Sequence, residues 1–197
     1  MIKTALALSL SFASLSAFAA APKAAKLPVK PLIEASGAGN VAEINRLIKA
    51  GTPVNGKLAA SDNGMTALTV AAALGQAASA KALLAAGADV NLTDALGDTP
   101  LHKACFPPTG KDLAAAANAK RAVALVLLAA KPKLNQKDKQ GWTPLMLAAS
   151  VGDAALVKAL LDAGADASLK LSSGKTALAL AQQGGNKEAA YLLTPKK

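Results

Sequence analysis

Four glycines, Gly64, Gly97, Gly141 and Gly174, each stand two residues ahead of a threonine and open the same short phrase. The phrases are Met65-Thr66-Ala67-Leu68, Asp98-Thr99-Pro100-Leu101, Trp142-Thr143-Pro144-Leu145 and Lys175-Thr176-Ala177-Leu178. The gaps between the glycines are 33, 44 and 33 residues, so a single period recurs and its middle copy carries an 11-residue insertion. Such a recurrence constrains the fold more than composition does, because each copy must form a small unit that buries its face on the next. The stretch from Gly141 to Lys170 fixes the shape of that unit. Thr143 is a favourable N-cap, and Pro144 takes the first helical position, where an N–H would have no partner anyway. Leu145, Leu147, Ala148 and Ala149 give an apolar, small-residue face until Gly152 ends the helix. A second helix over 155–163 carries Leu156, Val157, Leu160 and Leu161 at helical spacing, and Gly164 supplies a left-handed C-cap.

The ends of the second helices agree as well. Leu83-Leu84-Ala85-Ala86-Gly87-Ala88-Asp89-Val90-Asn91 aligns with Leu160-Leu161-Asp162-Ala163-Gly164-Ala165-Asp166-Ala167-Ser168. A 33-residue period with these G-x-T-P-L-H and L-L-x-x-G-A-D-V-N phrases resembles the ankyrin repeat, over about residues 31 to 195. The expected fold is all-α, a solenoid of about five helix-turn-helix repeats near 31–60, 61–93, 94–137, 138–170 and 171–197, with short hairpins between them. Composition suits it. The chain is 52% hydrophobic but only 3% aromatic, and about half of the apolar share is alanine, which lets helices approach closely without building a bulky core.

Individual copies depart from the template. The first is degenerate, with Leu32, Ala35, Val41, Ile44, Leu47 and Ile48 as apolar positions, Gly39 between its helices, Gly51 as cap and Asn55 in the role of Asn91. Gly51 and Gly87 are 36 residues apart, which places about three extra residues near 56–61. The third copy holds the insertion, near 106–117. Pro107 and Pro108 stop its first helix, and Asp112 onward is able to restart one that lengthens the second helix, otherwise 120–130. Lys131-Pro132 stand where a glycine is expected. The insertion reads either as a projecting binding feature or as a tolerated loop. In the fifth copy, Gln182, Gln183 and Asn186 make a more polar cap.

The amino terminus is set apart from the fold. Lys3, the uncharged run from Ala5 to Phe18 and the small-x-small box Ala17-Phe18-Ala19 read as a signal peptide over 1–19, cut after Ala19, with an uncleaved membrane anchor as the alternative. Residues 20–30 read as a flexible leader. The expected location is periplasmic or secreted, with no membrane span after cleavage. The formal net charge of +10 becomes +9 once Lys3 is removed. That field favours acidic proteins or anionic envelope surfaces; export and the lack of aromatic platforms argue against nucleic acid. Cys105 is the only cysteine, so the chain has no internal disulfide, and its register points inward, as an inert thiol or else a redox group.

Chemical sites are few. Ser172-Ser173-Gly174-Lys175-Thr176 ends like a phosphate-binding loop, but Leu169 stands where that motif needs glycine, and the same residues fit the repeat as hairpin and N-cap. His102 is the only histidine, so neither a metal site of ordinary spacing nor a Ser-His-Asp set is expected, and no cofactor is implied. The resemblance implies instead a structural histidine that orders the hairpin. The chain is therefore expected to be non-enzymatic, and a small hydrolase would require activity lost on His102→Ala.

Binding is the remaining role. Trp142, the only tryptophan, sits at a variable position between hairpin glycine and N-cap, and reads equally as a binding anchor or as packing on a neighbouring hairpin. Met65, Asp98 and Lys175 share its register and extend the ridge; Leu96, Phe106, Lys137 and Lys139 complete the candidate surface. Lys131, Lys133, Lys137 and Lys139 form a basic run that is either a solvated face or the rim of the groove. The resemblance implies a protein partner held along hairpin tips and concave face by a chain that is monomeric when free. It also implies an accessory role, supporting a catalase or neutralising a toxin. Binding of an anionic envelope polymer or lipid is the alternative.

Overall fold

The computed structural model describes residues 28–195. The expected signal peptide and most of the leader fall outside the described residues. Lys30, assigned to the leader from sequence, already belongs to the first helix, where Val29 N-caps it.

Among the described residues ten α-helices follow one another in five antiparallel pairs. They are α1 (Lys30–Gly37) with α2 (Val41–Lys49), α3 (Ala67–Ala73) with α4 (Ala77–Ala85), α5 (Pro100–Cys105) with α6 (Leu113–Ala129), α7 (Pro144–Val151) with α8 (Ala154–Asp162), and α9 (Ala177–Gln183) with α10 (Lys187–Leu193). First helices pack in one row, α1 on α3 on α5 on α7 on α9, and second helices in another behind it. No strand forms among the described residues; two isolated antiparallel bridges, Lys57 with Thr66 and Lys170 with Thr176, close hairpin ends.

The punctuation acts as its chemistry dictates. Thr66, Thr99, Thr143 and Thr176 are extended N-caps whose hydroxyls each accept the N–H three residues on. The four hairpin glycines all adopt positive φ, at 57°, 85°, 88° and 80° in chain order. Gly97 also lies so close to the next hairpin that an added Cβ would come within 3.0 Å of the Lys139 nitrogen. Where the third repeat lacks a capping glycine, Lys131 takes the left-handed conformation itself, at φ 53°.

Packing explains why alanine suffices. Leu68, Leu101 and Leu145 recur as fully buried anchors of the first helices, and Leu83, Leu127 and Leu160 of the second. Between them Ala67, Ala71, Ala72, Ala104, Ala148, Ala149 and Ala181 are almost without exposed surface, which sets the close spacing of the inner row. Burying each leucine stabilises the stack by roughly 1.5–3 kcal/mol, a gain no single helix pair could collect alone.

Polar rungs tie consecutive repeats. Asn55, Asn91 and Asn135 each accept the backbone N–H of the equivalent residue one repeat later, Asp89, Lys133 and Asp166, at 2.8, 2.8 and 2.9 Å. A second column runs through the N-cap register of the outer helices, occupied by Asn40, Gln76, Asp153 and Asn186. Gln76 donates to the Gly37 carbonyl and Asn186 to those of Ala149 and Ser150, so these side chains cap the preceding repeat's inner helix. The long α6 starts seven residues before this register, which puts Lys120 there in mid-helix.

Candidate partner-binding surface

The hairpins project from one side of the stack and are stitched backbone to backbone. Ala95 donates to the Asn63 carbonyl at 2.8 Å and Lys139 to the Leu96 carbonyl at 3.0 Å. Within two of them an aspartate plays the same part. Asp94 Oδ1 accepts the N–H groups of Leu96 and Asp98, and Asp138 Oδ1 those of Gln140 and Trp142. Both carboxylates thus serve the turn. Neither faces a partner.

His102 connects hairpin to helix. Its Nδ1 accepts the Thr99 N–H at 3.2 Å, which leaves Nε2 to donate to the Trp142 carbonyl of the next repeat at 3.1 Å. Burial lowers its pKa, and the bond to that carbonyl only partly offsets the shift. The ring is a neutral structural bridge, fully buried and unavailable to substrate. Cys105 is likewise a buried free thiol whose pKa burial pushes far up, so it is held protonated. Among the described residues no three His, Cys, Asp or Glu side chains converge into a metal site. Gly174 and Thr176, from the apparent phosphate loop, form a hairpin turn and an N-cap.

The expected ridge divides when placed on this frame. Trp142 is half-buried against the core, with its backbone fixed by Asp138 and His102. It lines a depression of about 540 Å³ together with Leu171, Ser173, Lys175, Leu180 and Gln183. Lys175 is exposed there, its Nζ on Gln183 Oε1 at 2.7 Å. Lys137 and Lys139 are exposed on the adjoining hairpin, and Lys137 Nζ bonds the Lys170 carbonyl at 2.8 Å. Leu96 is exposed on the preceding hairpin, and Met65 is half-buried at the first regular hairpin.

Two candidates do not belong to the ridge. Asp98 shares the register of Trp142 yet is 1% exposed, because Lys103, five residues on, reaches back to it at 2.6 Å and to Asp94 at 2.8 Å. Burial works against the Lys103 charge, but the two carboxylates outweigh it and hold its pKa above the ordinary value. Phe106 sits at the far end of α5 from the hairpin, as its C-cap, with Lys103 Nζ 5.1 Å from its ring centre. Register alone could not show either outcome.

Lys170 and Leu171 belong to the surface and were not singled out from sequence, although their place beside hairpin Gly174 was the available signal. Lys131, Lys133, Lys137, Lys139, Lys170 and Lys175 are all exposed, and none forms an ion pair with a carboxylate among the described residues. A depression with apolar walls from Trp142, Leu171 and Leu180 therefore lies beside uncompensated positive charge.

A family model described as ankyrin repeats, in three copies, matches residues 19–94 and 113–197. The internal stretch left unmatched, 95–112, runs from the second regular hairpin through α5 into the insertion. No curated protein matches the chain.

Proposed function

From the premise that this chain belongs to the ankyrin-repeat family, we propose that it is an exported, non-enzymatic protein that docks an acidic segment of a partner protein along the hairpins of its third to fifth repeats. The family's work is protein interaction, and the single observation that supports this surface for it is the half-exposed Trp142 in a depression flanked by unpaired lysines. The indole supplies apolar contact area, and Lys137, Lys139, Lys170 and Lys175 steer an acidic segment towards it. Export rests on Lys3, the apolar run to Phe18 and the Ala17-Phe18-Ala19 box. Among the described residues no helix is long and apolar enough to cross a membrane. An accessory role suits such a protein, as a support for a catalase or as a neutraliser of an exported toxin.

The test is affinity capture from a periplasmic extract, with wild type compared against Trp142→Ala and against Lys137→Ala with Lys139→Ala. Trp142→Ala, with helical signal intact, is expected to weaken capture of a discrete protein about 30-fold or more, the effect of losing a hot-spot side chain. The lysine pair slows association and makes it less sensitive to salt. Capture indifferent to Trp142→Ala but abolished by moderate salt would overturn this reading in favour of an anionic envelope polymer.

A further inference from the structure

Away from the hairpins, under the inserted loop, lies a cavity of about 280 Å³ lined by Phe106, Pro108, Val151 and Leu156 as apolar wall and by Lys120 and Arg121 as cations. Lys120 is only 9% exposed. Its Nζ reaches the carbonyls of Phe106 and Pro107 at 3.3 Å and of Lys103 at 3.4 Å, three long contacts that bring dipoles but no opposite charge. Asp153, the one carboxylate lining the cavity, is committed to Arg121 through three hydrogen bonds of 3.0–3.1 Å. The buried Cys105 thiol stays neutral. The cavity's formal charge is therefore that of one ammonium, in a place where buried charges are ordinarily paired.

Lys120 caps the α5 carbonyls, but the rest of the stack shows that this work needs no cation, since Gln76 and Asn186 do it at the same register with neutral amides. The equivalent residues Asn40, Gln76, Asp153 and Asn186 are uncharged or acidic and sit at helix starts, whereas the lengthened α6 leaves position 120 without capping work of its own helix. Burial also lowers the Lys120 pKa, as expected for an ammonium lacking a counter-ion.

The geometry points to a binding site for a small aliphatic carboxylate, whose anionic head pairs with Lys120 Nζ while its tail lies against Phe106, Pro108, Val151 and Leu156. A volume just below the ~300–1,000 Å³ of ligand pockets restricts it to short chains.

Sodium hexanoate titrated into the full chain, followed by backbone amide NMR, tests this. Saturable shifts confined to the cavity residues are expected in about the millimolar range for a ligand of this size, with none for hexan-1-ol or hexylamine. Lys120→Met should weaken binding at least about tenfold, the value of a charge-assisted contact, and Lys158→Met should leave it unchanged. If Lys120→Met fails to fold, Ala117→Leu, which fills the cavity and keeps the ammonium, decides: weakening of similar size supports the site, and unchanged binding overturns it. Shifts spread over surface lysines, an equal response to hexan-1-ol, or binding retained by folded Lys120→Met would each overturn it too.

Discussion

The third and fourth repeats place different chemistry at the same register positions. Asp98, His102 and Lys103 in the third correspond to Trp142, Met146 and Leu147 in the fourth, and Lys120 and Lys131 to Asp153 and Gly164. The third is held by a part-buried cation between two buried carboxylates, a histidine bridge and a lysine capping carbonyls. The fourth has Leu147 and Met146 in place of the first two and Asp153, which caps its own helix, in place of the third, and its α7 is buried without a break from Pro144 to Ala149. Since Asp138 keeps its turn with backbone donors alone, the charged solution is not required by the hairpin. What the fourth repeat gains by dispensing with it is an aromatic ring left half-free at position 142.

The largest effect should come from breaking the third repeat's ion cluster. Lys103→Leu, the fourth repeat's choice, leaves Asp94 and Asp98 buried without a cation and is expected to cost about 3–5 kcal/mol in urea unfolding. Adding Asp98→Met should return most of that loss. Asp98 Oδ1 already lacks a donor, and Asp94 retains the backbone N–H groups that suffice for Asp138. If the double variant is no better than the single, the two repeats are not interchangeable solutions.

His102→Met gives the next effect, about 1–2 kcal/mol at neutral pH from the lost bonds to Trp142 and Thr99. It also changes the acid limb. Because burial depresses the His102 pKa below its ordinary 6.5, the unfolded chain takes up the proton first, so stability present above pH 6.5 is lost as pH falls below it. That share of the slope should vanish in His102→Met, measured as the midpoint of unfolding against pH. The smallest effect is the reciprocal exchange at the outer-helix ends. Lys131→Gly should stabilise by about 0.5–1 kcal/mol by relieving a left-handed lysine, and Gly164→Lys, at φ 96°, should cost a similar amount in thermal unfolding.

Local chemistry was legible and distant pairing was not. The four hairpin glycines and the threonine caps could be read because each is required by its own backbone, whatever lies nearby. Met65 and Lys175 followed their register to the hairpins for the same reason. Asp98 did not, because its burial is decided by a lysine that returns from the next helical turn, and such a return has no signature in spacing. Phe106 was grouped with the ridge by residue type, although the proline break carries it to the opposite end of α5. The Lys120 cavity went unseen because lengthening a helix silently moves a capping position into its interior. Lys131 stood out as a missing glycine, but nothing local revealed that it would adopt the glycine's conformation.

The backbone ties between hairpins, Asn63 to Ala95 and Leu96 to Lys139, fix the distance from one tip to the next before any partner arrives. Over these three hairpins, a shift of one tip against the next would break a backbone hydrogen bond. On the docking role proposed above the array works as a ruler, and two segments of identical composition should be told apart by the interval between their acidic residues.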